Sequence, residues 1–277
     1  MTLGEVLKAS TAYLERKGVP SPRVDAEHLV ALALGLSRVA LYTEYDRALD
    51  ESEADVCRRL VQRRGTREPL AYILGEWGFR RLVLKTDRRA LIPRPETEVV
   101  VERCLSLLAD LPAPEVLDVG AGSGAIALAI ADEHPGARVT AIDVSAEAIA
   151  LAGENARTTG YGDRVELLEH DLVGGLPGGP YDLVVSNPPY VAPEEIETLE
   201  PEVREWEPRA ALVGRGMTEV IAKAARTVLR PGGFLVLEVA DGTAAAVCAL
   251  LTRLGFSGVE SSADLTERER VVEGTWG

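Results

Sequence analysis

The 277 residues are 46% hydrophobic, enough for real cores and long enough for two domains, and nothing in the composition indicates disorder. Thirty Lys and Arg against 44 Asp and Glu leave a net charge of −14 and a pI near 4.8, which argues against gripping nucleic acid by its backbone. Three dispersed cysteines (Cys57, Cys104, Cys248) and three scattered histidines (His28, His134, His170) lack metal-ligand spacing, so no metal is expected. The first residues lack the basic and apolar regions of a signal peptide, and no apolar run reaches membrane-spanning length, so a cytoplasmic protein is expected.

The first third reads as short helices. Thr2 and Glu5 form a capping-box pattern, followed by Leu3, Val6, Leu7 and Leu14 at helical spacing and a stop at Gly18. Ser21-Pro22 opens a second helix, with Leu29, Leu32 and Leu36 as its buried side. Asp50 and Glu53 start another, carrying Val56, Leu60 and Val61 and stopping at Gly65. Pro69 to Gly75 reads as a short helix with a glycine stop. Phe79 to Lys85 then alternates as a strand, and Leu91-Ile92 adds an extended piece. The expected organisation is a helical domain over residues 1–75, a β-ribbon linker over 76–95 and a second domain over 96–277.

Pro95, Glu96 and Glu98 mark the start of a further helix, which continues through Val100, Val101, Cys104, Leu105 and Leu108. Strands at Glu115–Val119, Arg138–Ile142, Arg164–Glu169, Tyr181–Ser186 and Phe234–Val239 then alternate with helices after Ser123, Ser145, Met217 and Thr243. That alternation predicts an α/β fold with a parallel sheet covered on both faces. Runs near Phe256–Ser261 and Arg270–Glu273 are expected to close the sheet as an antiparallel edge hairpin.

Asp118-Val119-Gly120-Ala121-Gly122-Ser123-Gly124 joins the first of these strands to its helix. Glycines there let the backbone turn sharply and let a ligand approach without a Cβ in the way. Gly120, Gly122 and Ala125 also satisfy a relaxed dinucleotide fingerprint, so the glycines alone do not choose the ligand. Asp143, ending the second strand, is placed to accept both hydroxyls of a ribose. Asp171 follows the third strand at an edge suited to an adenine amino group. The Asp-x-Gly-x-Gly-x-Gly form is similar to the first motif of class I methyltransferases, whose donor S-adenosylmethionine carries a sulfonium, so an acidic lining is an asset.

Ser186-Asn187-Pro188-Pro189-Tyr190 follows the fourth strand. Neither proline can donate to a ladder, and Asn187, preceding a proline, is pushed toward extended geometry. The result is a stiff loop in which a planar –NH2 can donate one hydrogen to Asn187 and one to the Pro188 carbonyl, with Tyr190 as a flat wall. Placed across the sheet's switch point from a methyl donor, such a clamp suits an amide or exocyclic amine held by orientation, without a separate base. An adenine or guanine amino group meets the same description, though the acidic balance weighs against a nucleic-acid substrate.

The chain as a whole resembles the bacterial glutamine methyltransferases that modify peptide chain release factors. The resemblance rests on residues 21–27, 67–75, the Leu91-Ile92-Pro93-Arg94-Pro95-Glu96-Thr97-Glu98 run, residues 118–128, 186–191 and 207–212. It implies a class I S-adenosylmethionine-dependent fold, Rossmann-like, with a mostly parallel seven-stranded sheet and a small N-terminal helical domain that docks the protein substrate. It implies that Asp118, Gly120, Ala121, Gly122, Ser123, Gly124, Asp143, Asp171, Leu172 and Asn187 contact S-adenosylmethionine, released as S-adenosylhomocysteine. Asn187, Pro188, Pro189 and Tyr190 would hold the substrate glutamine, with Arg94 and Glu96 nearby; Asn187, Pro188 and Tyr190 would serve catalysis. The implied partner is a release factor, whose Gly-Gly-Gln loop enters between the domains, with neither stable nucleic-acid binding nor a membrane; a ribosomal-protein glutamine is the alternative target. The chain departs from the family pattern in four places. Leu172 stands where an aromatic residue is common, Arg88-Arg89 replaces Pro-Gly, the 213–217 loop is shortened, and residues 239–243 lack the usual Gly and Gln.

Overall fold

The computed structural model describes all 277 residues. Thr2 opens α1 (Leu3–Arg16): its hydroxyl accepts the Glu5 N–H while the Glu5 carboxylate accepts its own, occupying two donors the first turn cannot use internally. Pro22 is the first residue of α2 (Pro22–Leu34), which Gly35 ends in the left-handed region. A single turn, α3 (Ala40–Thr43), precedes α4 (Glu51–Gly65), whose start is the Asp50–Glu53 capping box. The short α5 (Leu70–Leu74) ends at Gly75, φ 79°.

Two details differ from the sequence expectation. Of the three leucines assigned to the buried side of α2 only Leu29 is buried, and Leu32 is 44% exposed. The inward face instead carries Asp25, Ala26, Leu29 and Val30, because the Asp25 carboxylate accepts from Arg64 of α4 at 2.7 Å. α4 ends at Gly65 as expected, but that glycine is itself helical, and the Tyr13 ring occupies the space its Cβ would need.

These helices, with Leu199–Trp206 from far along the chain, make one compact unit; Trp77–Thr198 and Glu207–Gly277 make the other. The added segment is tied into the first unit by charge: Glu202 accepts from Arg64 Nη2 at 2.8 Å and from Arg67 Nε at 2.7 Å.

The expected single strand at 79–85 is a hairpin, β1 (Glu76–Phe79) and β2 (Leu82–Lys85). It reverses at Arg80, whose φ is +50°, with no Gly or Asn to announce it. Tertiary bonds hold that turn: the Arg80 N–H donates to Glu98 at 2.9 Å and its guanidinium is paired with Glu133. Leu91 and Ile92 join no strand.

The rest of the second unit runs α6 (Thr97–Leu108), β3 (Glu115–Val119), α7 (Ala125–Glu133), β4 (Arg138–Asp143), α8 (Ala146–Thr159), β5 (Val165–Glu169) and β6 (Tyr181–Ser186). After α9 (Pro201–Trp206), which belongs to the first unit, come α10 (Arg209–Leu212), α11 (Met217–Ala225), β7 (Leu229–Glu238), α12 (Ala244–Leu254), β8 (Phe256–Ala263) and β9 (Glu269–Trp276). Seven strands form one sheet in the order β5-β4-β3-β6-β7-β9-β8, parallel except where β9 runs antiparallel to both β7 and β8. Apolar clusters cover both faces, one including Val116, Val185 and the α7 residues, the other Leu117, Val184 and Ile221. From β3 the chain steps outward to β4 and β5, then crosses to β6 on the other side, so the switch point lies between β3 and β6.

Candidate active site

At the switch point Val119 is in register with Ser186, and the Ser186 hydroxyl donates to the Val119 carbonyl at 2.6 Å inside the core. That bond seats Asn187 beside Gly120 as the two strands end. A cavity of about 270 Å³ opens there. Of the residues singled out from the sequence, Gly120, Ala121, Gly122, Ser123, Asp143, Asp171, Leu172, Asn187, Pro189 and Arg94 line it. Asp118, Gly124, Pro188, Tyr190 and Glu96 are not among its lining residues.

The glycine loop is anchored to the end of β4. The Gly120 and Ala121 N–H groups both donate to the Ile142 carbonyl, at 2.8 and 2.9 Å, and Gly122 N–H donates to Asp143 Oδ2 at 2.9 Å. Gly120 and Gly122 sit at φ of +83° and +55°, which an L side chain adopts only under strain. Gly124 has a packing role: a Cβ there would come within 3.2 Å of Ala152 on α8 and of Leu128. These three amides are therefore already engaged within the protein.

Asp143 is held at both oxygens, its Oδ1 accepting from Ser145 N–H at 2.9 Å, and each oxygen keeps a lone pair for a ligand hydroxyl. Ser145, not Asp143, caps α8 by accepting from Ala148 N–H. Asp171 caps the following 3₁₀ turn through Val173 N–H, and the half-buried Leu172 gives the cavity an apolar wall. The two arginines at the rim are neutralised: Arg94 pairs with Glu207 at 2.5 Å, and Arg89 pairs with Asp87 and Glu154, both at 2.8 Å. The chemistry of this donor set fits an uncharged nucleoside better than a phosphate.

Asp118 is fully buried beneath α7 and does not line the cavity, accepting from Ala127 N–H at 3.2 Å while its Oδ1 has no partner. Burial pushes its pKa up to about 7, with Asp143 adding to the rise. Pro188 is buried and Tyr190 is 41% exposed. Pro189 lies against Gly214, where a Cβ would fall 2.4 Å from the proline Cγ. The 213–217 loop thus packs against the Asn-Pro-Pro-Tyr loop, and Val191 N–H donates to the Leu212 carbonyl to hold the chain beyond it.

Sequence reasoning missed Arg89, Thr97, His170 and Met217 as lining residues. Arg89 and Thr97 were visible only as a departure from, and a member of, family motifs. Nothing local marked the other two. No group of three or more His, Cys, Asp or Glu is placed to hold a metal ion, and no helix is long and apolar enough to cross a membrane.

The sheet order, the antiparallel β9 beside β7, and the glycine loop facing an Asn-Pro-Pro-Tyr loop across the switch point define a class I methyltransferase. Residues 5–75 match the family model of the PrmC N-terminal domain and residues 101–202 that of the methyltransferase small domain. The chain is 43% identical over 280 residues to a release factor glutamine methyltransferase of Geobacter sulfurreducens, covering all of this chain and 97% of that one. A protein of the same description from Caulobacter vibrioides is 38% identical, covering 99% and 96%. The crystal structure of a methyltransferase from Pyrococcus furiosus shares the fold at 18% identity, with a TM-score of 0.51 over 70% of this chain and 88% of that chain. The chain belongs to the release factor glutamine methyltransferase family.

Proposed function

We propose that this protein transfers a methyl group from S-adenosylmethionine to the side-chain amide nitrogen of the glutamine in the Gly-Gly-Gln motif of peptide chain release factors, in the cytoplasm. The observation that carries the proposal is that one cavity is lined by both the anchored glycine loop with Asp143 and the Asn187–Pro189 loop. Gly120 to Ser123 and Asp143 would hold the donor's nucleoside, and Leu172 would flank its base. The bound donor supplies an electrophilic methyl on a sulfonium and leaves as S-adenosylhomocysteine.

An amide nitrogen is a weak nucleophile because its lone pair is delocalised into the carbonyl. Asn187 Oδ1 and the Pro188 carbonyl accept the two N–H hydrogens, turning the lone pair toward the methyl carbon. As nitrogen becomes positive those acceptors stabilise its protons, and one proton is then lost to water. Pro188 and Pro189 keep the loop from relaxing, so the acceptors stay aimed. The helical unit, matched by its own family model, docks the release factor.

The test is mass spectrometry of a purified release factor incubated with enzyme and S-adenosylmethionine. A gain of one methyl on the Gly-Gly-Gln glutamine is expected. An unmodified release factor alongside a methylated ribosomal-protein glutamine would move the assignment to that target.

A further inference from the structure

Asn187 is not alone at the cavity rim. Its Nδ2 donates to Thr97 Oγ1 at 3.3 Å, and Thr97 Oγ1 donates to Glu238 Oε2 at 2.6 Å. The three residues come from the loop after β6, the first position of α6 and the last of β7. Thr97 is 5% and Glu238 3% exposed, so the bond between them is shielded from water, while Asn187 is half-buried at the cavity. Packing alone does not require a threonine and a glutamate there; the hydrogen-bond polarity does.

A hydroxyl has one hydrogen. Thr97 spends it on the Glu238 carboxylate, so only lone pairs face Asn187, and the asparagine must turn its –NH2 toward Thr97. Its Oδ1 then points the other way, as the acceptor that a substrate –NH2 needs. We propose that Thr97 and Glu238 are positioning residues for methyl transfer, the carboxylate fixing, through the threonine hydroxyl, which end of the Asn187 amide meets the substrate nitrogen. This rests on the functional assignment above. It also sets a condition: a protonated Glu238 can donate to Thr97, freeing the hydroxyl hydrogen for Asn187 Oδ1. The amide then turns over and presents a donor to a donor.

The condition falls in an accessible range. Burial raises the Glu238 pKa to about 7 against the bond from Thr97, with Glu96 pushing it further up and Arg270 of β9 and Arg94 pulling it down. Tyr190, from the clamp loop, also senses this carboxylate. Protonation therefore removes the competent arrangement as pH falls through about 7.

The experiment compares wild type, Thr97→Val, Thr97→Ser and Glu238→Gln for methylation of a release factor from pH 5.5 to 8.5. In parallel, the side-chain NH2 resonance of Asn187, assigned by its loss in Asn187→Ala, is followed by NMR over the same range without donor. Wild type should show kcat/KM falling about tenfold per unit on the acid side of a midpoint near 7, with the amide resonance shifting at the same midpoint. In Glu238→Gln the new amide oxygen can still accept from Thr97 but the group has no proton to gain, so both transitions should vanish. Thr97→Val should lose about a hundredfold in kcat/KM, and Thr97→Ser should recover most of it. Calorimetric binding of S-adenosylmethionine by Thr97→Val, within twofold of wild type, establishes that the fold is intact. Thr97→Val within threefold of wild type in kcat/KM, or an acid limb unchanged in Glu238→Gln, overturns the proposal. A wild type that leaves release factors unmodified at every pH overturns the functional assignment instead, while the NMR titration still reports on the amide.

Discussion

In the proposed mechanism Asn187 acts through an oxygen and a geometry, not through a titrating group. Replacing it with alanine would remove one of the two acceptors proposed for the substrate –NH2 while leaving the glycine loop and Asp143 in place. We expect Asn187→Ala to lower kcat/KM by at least about a hundredfold, a loss of the size seen when one preorganised group is removed from a transition state. S-adenosylmethionine affinity, measured by calorimetry, should stay within a few fold; equal turnover in the variant would refute the clamp. Asp118 behaves differently. Its pKa is raised from the ordinary 3.8 to about 7 in the folded protein, so between those values the native state holds a proton that the unfolded chain has released. The wild type therefore loses stability from this group as pH rises from about 4 through about 7. Denaturant melts of Asp118→Asn and wild type should show the variant gaining relative stability across that window, and a difference independent of pH would contradict the burial argument. Asp118 was legible as part of a cofactor motif, but its side chain turns under α7. The motif does not record which face of β3 each residue takes.

At the scale of elements, the clamp is kept in place by a loop that contacts it without sharing its sequence neighbourhood. Gly214 lies against Pro189, and a Cβ added there would stand 2.4 Å from Cγ and 2.5 Å from the carbonyl oxygen of that proline. Backbone cannot yield as a side-chain end can, so Gly214→Ala should displace the Asn-Pro-Pro-Tyr loop. Turnover is expected to fall about tenfold or more, since an error of an ångström in positioning is costly, with donor affinity changed far less; steady-state kinetics beside calorimetry would decide. Within the helical unit, Arg64 is 4% exposed and pairs with Asp25 and Glu202. Arg64→Ala leaves the buried Asp25 carboxylate without its cation, while Glu202 keeps Arg67, and should cost about 3–5 kcal/mol in chemical denaturation. Helix starts at Thr2, Pro22 and Asp50 and the strand–helix alternation after residue 114 were legible because caps and periodicity are local signals. The β1–β2 turn was not. It uses Arg80 at positive φ, stabilised by Glu98 and Glu133, 18 and 53 residues away.

For the molecule as a whole, charge separates two chemistries that share the same clamp. A net charge of −14 opposes the polyphosphate backbone, and the arginines at the cavity rim are each matched by carboxylates. We expect fluorescence anisotropy with duplex or single-stranded RNA at about 0.15 M salt to show no binding at low micromolar concentration. A salt-sensitive affinity in that range would favour a nucleobase substrate. The chain also passes between its two units three times, at 76/77, 198/199 and 206/207, so the helical unit is completed by residues that lie far along the sequence.

Short stretches of chain encode the helix caps, the parallel α/β order, the glycine loop with Asp143, the Asn-Pro-Pro-Tyr loop, and the family to which these motifs belong. Each depends on a few neighbouring residues whose backbone preferences survive in any context. The way the Asn187 amide faces is set in the folded chain, because it depends on Thr97 and Glu238, and the bonds joining the three span 90 and 141 residues of sequence. Folding likewise turns Asp118 inward and sets Gly214 against Pro189. The direction of a hydrogen bond and the ionisation of a buried acid are properties of the assembled neighbourhood. No single stretch of chain contains that neighbourhood.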